Sequence, residues 1–454
     1  MVATPTYFAT WALLALCVSQ YVAVSAEMLQ PELDGHAAFS ANSSHVMRAL
    51  EGYISAEVTR LGTALSKTMV INFGSSPASK YIKSTRSPNP WAGPEWLTYQ
   101  DGINYRWKTG EESPAAKYAR AFGLDVNTLN AAVSSTSGIL SLKANRACTS
   151  SSLCSSITAG SVCAIRTGST SGYCVSGKAS MAQAWAQAAL LETEPRNPTV
   201  LNGITFYPND LKALLTQVYQ EASTVGSTFG TRFQGPNLPG TTDSYGRYTD
   251  ATRRDISPAL FHLALLNAMV APSQPLIMDV DNSDAVQYAP VLKYTIRTIG
   301  YGAASGVSQG EYGTTTYPFN SYAKFLSKVT LDVSYINSTT EDGGLINNGR
   351  NTLYTTLQTY NYLLELNSNN DIIGGEWLST SKTNHPDFLW IQTQKPDDSY
   401  VTPSGISIQN VRALVVASQN LPTPAPTPAP TTATPTPAPT PAPTTVAPTT
   451  APTT

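Results

Sequence analysis

Four cysteines, Cys148, Cys154, Cys163 and Cys174, stand just ahead of an alanine-rich segment, Ala179 to Leu191. Within that segment Ala182, Trp185, Ala188 and Ala189 recur at helical spacing, so one face is small, apolar and expected to be buried. Ser180 is placed to cap such a helix, which puts Ala182 in its first turn. A thiol at that point would have its pKa lowered by the helix terminus and would be aimed at a cleft. The position holds a methyl group.

The remaining chemistry-bearing residues are few. His262 lies in a nearly all-apolar run, Ala259 to Val270, where a hydrogen-bonded core role competes with that of a general base. His385 is the other histidine outside the N-terminal stretch, and Asp279 follows shortly after His262. Gly306-Val307-Ser308-Gln309-Gly310 has the letters of a nucleophile elbow, but Gly310 to Gly313 reads as loop where the elbow needs a helix. Asp279 to Asp284 spells half a calcium loop, yet its sixth position is Asp284 and its twelfth is Pro290, so it reads as a turn. Two of the four histidines fall in the polar stretch from His36 to His45, so no zinc site is expected.

Cysteine use points to an oxidising compartment. Phe8 to Val24 is an apolar core ending in Val24-Ser25-Ala26, a secretory signal pattern spanning residues 1–26 that takes Cys17 with it. Four cysteines remain, which suggests two disulfides with three pairings open. Each closes a short loop and is expected to stabilise by roughly 2–4 kcal/mol. Asn42 and Asn337 begin N-glycosylation sequons. A net charge of −2 and a charged content of 13% leave no basic block to neutralise phosphates, which argues against nucleic acid as a partner. No other apolar run approaches the ~18 residues that a membrane span requires.

The elements that would position these residues can be read from periodicity. Met47, Leu50, Ile54, Val58, Leu61 and Leu65 give one helix over His45 to Val70. Ser75 to Pro94 reads as a linker, Trp91 to Trp107 as an aromatic cluster that carries core, and Ser113-Pro114 as the start of a short helix ended by Gly123. Asn209 to Ala222 is amphipathic, and Ser257-Pro258 opens the helix that carries His262. From Leu276 the chain turns β-branched and aromatic: Leu276 to Val280, Val291 to Ile299, Val329 to Ile336, Leu353 to Leu366 and Ile372 to Trp377 read as strands, with Asn367 to Asp371 as a hairpin turn. The expected fold is therefore α+β, with helices on one side of an antiparallel sheet. Thr-Pro-Ala repeats from Leu421 read as an extended, O-glycosylated stalk.

Several strings also occur together in one order. They include Trp96-Leu97-Thr98-Tyr99-Gln100-Asp101, Lys117 to Val126, Ser171-Gly172-Tyr173-Cys174 and Gly246-Arg247-Tyr248-Thr249-Asp250-Ala251. Further along come Gly313 to Asn320, Thr340-Glu341-Asp342-Gly343, Ile372 to Trp377 and His385 to Trp390. Over about residues 45 to 400 the chain thereby resembles the transglutaminase elicitor family of oomycetes such as Phytophthora. The resemblance implies a secreted cell-wall glycoprotein with a papain-like cysteine transferase core. It also implies an activity that joins glutamine to lysine side chains with release of ammonia, no cofactor, and a surface peptide that triggers plant defence.

This chain departs from the family at the reacting atom. The family's Cys-His-Ala-Trp string, aligned on Tyr173-Cys174 and Ala184-Trp185, reads Ala182-Gln183-Ala184-Trp185 here, and a methyl group cannot form an acyl-enzyme. The family's Trp-Asn-Gln-Pro elicitor string falls at Gln287-Tyr288-Ala289-Pro290, so only the proline survives. By resemblance His262 is the ancestral base, with His385 as the alternative, and Asp279, shortly after His262, is the candidate third, orienting member. The expected organisation is a signal over 1–26, a propeptide-like helical segment and linker over 27–88, an elicitor-like domain over 89–420 and a mucin-like tail over 421–454. The expected function is that of a secreted, wall-associated pseudoenzyme whose partners are cell-wall polymers, wall proteins and a plant receptor. Two rivals stay open: an acyltransferase using Ser180 or Cys174, and a purely structural wall protein.

Overall fold

The computed structural model describes residues 55–420, apart from 76–81, 158–159, 223, 225, 232–239, 251–252, 271–272 and 281–285. The signal pattern, His36, Asn42, His45, the middle of the calcium-like turn and the stalk lie outside those residues.

Eight α-helices appear among the described residues: α1 (55–65), α2 (Pro114–Ala121), α3 (Val126–Thr136), α4 (Ala182–Leu191), α5 (Pro208–Glu221), α6 (Pro258–Met269), α7 (Ala304–Tyr312) and α8 (Ile408–Ala417). Their starts obey local chemistry. The Ser113 side chain accepts from the Ala116 N–H and that of Ser257 from the Leu260 N–H, each with proline at the first helical position. Asp125 caps α3 through the Thr128 N–H at 2.8 Å.

The main sheet has eight strands: β1 (Lys83–Thr85), β7 (Ser227–Gly230), β8 (Leu276–Asp279), β9 (Tyr288–Ala303), β10 (Phe325–Ile336), β11 (Thr355–Leu366), β12 (Ile372–Trp377) and β13 (Phe388–Ile391). It runs β12-β11-β10-β9-β8-β13-β7, with β1 paired to β9, and every pairing is antiparallel. Two smaller sheets are β2 (Ala147–Cys148) with β4 (Gly172–Ser176) and β3 (Ser161–Ala164), and β5 (Thr199–Leu201) with β6 (Ile204–Phe206). The turn at Asn367–Asp371 joins β11 to β12 with Asn370 at φ +62°, as its composition suggested.

The main sheet divides two cores by the period-two alternation of its strands. On β8, Ile277 enters one core while Leu276 and Met278 enter the other; on β13, Phe388 and Trp390 oppose Leu389 and Ile391. Helices α2 to α5 and α8 fill the first core. Helix α6, buried on all sides, fills the second together with Leu61 and Leu65 of α1. The expectation of helices on one side only is thus corrected, because an all-apolar helix needs cover all round and finds it on the sheet's other face. The linker reading of Ser75 to Pro94 is corrected too: residues 83–85 form a strand and Trp91 and Ala92 are fully buried.

Candidate functional site

The start of α4 is fixed by the segment before it. Thr98 donates its N–H to the Ala179 carbonyl at 2.8 Å, Leu97 bridges Ser180, and Met181 donates to the Glu95 carbonyl at 2.9 Å. These bonds hold residues 95–98 against the approach to the helix. Met181, not Ser180, occupies the N-cap position; the Ser180 hydroxyl accepts from the Ala182 N–H at 3.3 Å and meets the Glu95 carboxylate at 3.3 Å. Ala182 is therefore the first helical residue, 8% exposed, with Trp185 buried one turn on. A side chain at Ala182 sits at the N-terminal turn, where the helix dipole concentrates positive charge, so the turn would favour a thiolate.

Just upstream, the small β2-β4-β3 sheet is stapled by Cys148–Cys163 and Cys154–Cys174. Both expected disulfides are present and fix the pairing that composition left open. All four thiols are consumed, so Cys174 offers no nucleophile. Strand β4 ends at Ser176, five residues before Met181, and the staple anchors the chain that enters α4.

Asp279 closes β8 on the same side as Ile277, the side on which α4 packs. Its Oδ1 accepts the Gln287 N–H at 2.9 Å, and in register it opposes Tyr288. Tyr288 packs on the same core and meets Phe388 and Trp390 at 6.1 and 6.4 Å between ring centres. The stretch Gln287-Tyr288-Ala289-Pro290 thus opens β9 beneath the helical layer, with Gln287 exposed and Ala289 and Pro290 buried.

His262 is elsewhere. It lies on α6, on the far face of the sheet, fully buried, with Nδ1 2.7 Å from the Tyr362 hydroxyl. Burial pushes its pKa down to about 3, so the ring is neutral through the ordinary range. His385 is on that face as well: its Nδ1–H donates to the Ser381 carbonyl at 2.7 Å, Nε2 is 3.3 Å from Asp255, and its ring stacks on Trp377 at 4.9 Å. The structure thus brings Asp279 to the side of Ala182 and leaves both described histidines behind the sheet. The reading of His262 as a base facing Ala182 is corrected for the reason that placed α6: its apolar circumference selects the enclosed face. Ser308 sits in mid-helix on α7 and is buried, so the elbow letters carry no elbow, and the expected loop there is a helix.

Among the charge clusters that sequence reasoning missed, two matter here, one buried and one half-buried. Lys212 on α5 donates to the Ala92 and Gly343 carbonyls at 2.8 and 3.0 Å and meets Glu194 at 3.2 Å; Glu194 in turn accepts from the Leu345 and Ile346 N–H groups. This cluster ties the loop after β10 to the helical layer beside Trp185, whose indole approaches Gly93. The second, Glu365 and Glu376 under Arg247, lies on β11 and β12. A lone lysine or glutamate in an apolar run was the only available signal for either.

A helix of small residues, with Ala182 as its first residue, is entered from a disulfide-stapled sheet and laid on an antiparallel sheet with a carboxylate at its edge. The model of the transglutaminase elicitor family matches residues 57–421, and the chain belongs to that family. It is similar to the crystal structure of the GP42 transglutaminase from Phytophthora sojae, at 38% identity and a TM-score of 0.70, over 80% of this chain and 97% of that one. A search of curated protein sequences finds no match.

Proposed function

We propose that this chain is a secreted, wall-associated member of its family in which the transferase scaffold persists without transferase chemistry. The observation that carries the reading is Ala182, buried as the first residue of α4, at the position where the resemblance sets the family's nucleophile. Acyl transfer needs a nucleophile, and the four cysteines of the described residues are all bonded to one another. Ser180, whose hydroxyl accepts from the Ala182 N–H, faces the Glu95 carboxylate, and no described histidine shares its side of the sheet. Family membership and the signal pattern support an extracellular place. No helix among the described residues is long and apolar enough to cross a membrane. Wall polymers, wall proteins and a receptor reading the segment around Gln287 are the proposed partners. Asn337 is a proposed glycan site; in the folded chain its amide donates to Thr356 at 2.6 Å.

The test is incorporation of a labelled primary amine into a glutamine-rich protein. The wild type is expected to match the blank, and incorporation above it overturns the reading. Ala182→Cys is expected to gain iodoacetamide reactivity at residue 182, since the helix terminus favours the thiolate. Transfer by that variant is expected to stay weak, because no described histidine faces the position.

A further inference from the structure

Residues 241–249 form a hairpin. The Thr249 N–H donates to the Thr241 carbonyl at 3.0 Å, Asp243 N–H to the Arg247 carbonyl at 2.8 Å, and Thr242 bridges Tyr248. Its tip is wound around Asp243, whose Oδ1 accepts from the Tyr245 and Arg247 N–H groups, with Gly246 at φ +78°. The tip is seated on the main sheet by side chains alone or side chain to carbonyl. Arg247 reaches Glu376 at 3.0 Å and lies over the Phe319 ring at 4.1 Å. The Tyr245 ring stands edge-on to Phe319 and Tyr312 at 5.2 and 5.5 Å, and its carbonyl accepts from Lys382 at 2.7 Å.

Beneath the tip three carboxylates gather, and of the two on the sheet only Glu376 is reached directly by more than neutral donors, through Arg247. Glu376 on β12 opposes Leu363, and Glu365, two residues along β11, points to the same face. Glu365 is buried and bonded only to neutral donors, Tyr317 at 2.9 Å and Asn320 at 2.7 Å. Asp243 is the third carboxylate, already paired with Arg247 at 2.8 Å. On the cationic side Arg254 is tied to the Tyr248 and Thr249 carbonyls, Lys382 to the Tyr245 carbonyl, and Glu311 on α7 is paired with Lys328. The phenols of Tyr312 and Tyr317 are pushed up by burial and stay neutral. Arg247 is therefore the one guanidinium bonded to both Asp243 and Glu376, with Arg254 acting only at longer range, while the buried Glu365 lies close to the half-buried Glu376; two carboxylates so placed resist ionising together.

We infer that the 241–249 hairpin is a proton-held flap, seated while the Glu365–Glu376 pair holds a proton and released as that proton passes to solvent with rising pH. Burial raises Glu376 from 4.5 to about 7, Arg247 opposing and Glu365 adding to the rise, and burial raises Glu365 as well. Lifting the hairpin hydrates the pair and returns Glu376 toward 4.5. Between those values the seated form binds more protons than the lifted one, so acid seats the flap and base frees it.

The experiment is hydrogen exchange of the full chain, monitored by mass spectrometry and corrected for the intrinsic effect of pH on exchange. Protection of the peptide covering 241–249 is expected to fall roughly tenfold between about pH 5.5 and about pH 8, while that of α5 stays level. Glu376→Gln is expected to flatten the profile, because the amide cannot release a proton. Should that variant fail to fold, Glu365→Gln tests the same pair. A level profile in the wild type overturns the inference, as does a fall that either folded variant reproduces in full.

Discussion

His262 shows how burial converts an apparent catalytic residue into a stability element. Its folded pKa of about 3 lies below the ordinary 6.5, so between these values the unfolded chain binds the extra proton. The stability this histidine protects is present above about pH 6.5 and is lost as pH falls toward 3, by an amount on the order of 5 kcal/mol. Glu376 acts in the opposite sense, since its raised pKa makes folding more favourable as pH falls from about 7 to 4.5. Replacing His262 by glutamine is expected to cost about 2 kcal/mol near neutrality, through lost packing and an altered bond to Tyr362. The deficit should shrink as pH falls, because glutamine takes up no proton. Urea melts of both proteins from about pH 7 to about pH 4 measure the gap; a constant deficit would mean that His262 is not the group that charges on unfolding. At this scale the place of Ala182, buried in the first turn of a helix, was legible because small side chains at helical spacing reveal it. The sides taken by His262 and His385 were not legible, since residue type says nothing of which face of a sheet will bury it.

Among the elements, legibility tracked the contrast between faces. Helices α4, α5 and α6 were readable from their spacing, α6 also from its Ser257 cap and Pro258, and the strands β8 to β12 from their β-branched runs. Helix α3, Val-Asn-Thr-Leu-Asn-Ala-Ala-Val-Ser-Ser-Thr, buries only Leu129, Val133 and Ser134, too thin a stripe to stand out. Helix α7 contains Gly306 and Gly310, each costing about 1 kcal/mol against alanine in a helix interior, and reads as loop. It holds because Ala304 and Ser308 are covered and the helix ends on Gly313 at φ +73°. The small β2-β4-β3 sheet is the element most dependent on covalent support: its strands are two to five residues long and its core is largely cystine. Replacing Cys154 and Cys174 together by serine opens a loop of separation 20 and is expected to cost about 3 kcal/mol. The loss should appear in a denaturant midpoint. In the Ala182→Cys background it should also reduce the selectivity of labelling at residue 182, because β4 anchors the chain entering α4. Unchanged stability would show that the strand pairing, rather than the bond, holds the sheet.

Across the whole molecule, the informative boundary is the one between the N-terminal segment, up to residue 88, and the domain that begins at Asn89. Sequence patterning divides the chain there, since Ser75 to Pro94 is rich in serine, proline and glycine. Packing does not respect that division. Leu61, Leu65 and Phe73 are buried in the same core as α6, Arg60 lies over the Phe229 ring at 4.1 Å, and Lys67 donates to the Asn267 carbonyl. Val70 exchanges bonds with the Asn267 side chain, β1 pairs with β9, and Arg86 donates to the Leu190 carbonyl at the end of α4 at 2.8 Å. A local composition that looks like a linker is compatible with burial when its few apolar residues are spaced to meet a core from another part of the chain. Burying three large apolar side chains contributes roughly 2 kcal/mol each. Loss of the β1 ladder and of the Arg86 bonds adds to that, against a typical total stability of about 5–15 kcal/mol. A chain beginning at Asn89 is therefore expected to be insoluble or to melt without a cooperative transition, whereas one beginning at Ile54 should keep a single sharp transition. Calorimetry of the two truncations decides the matter. If the shorter chain melts cooperatively near the temperature of the longer one, residues 55–88 would be a detachable segment resting on a self-sufficient domain, and cleavage as far as residue 88 would leave the scaffold around Ala182 intact.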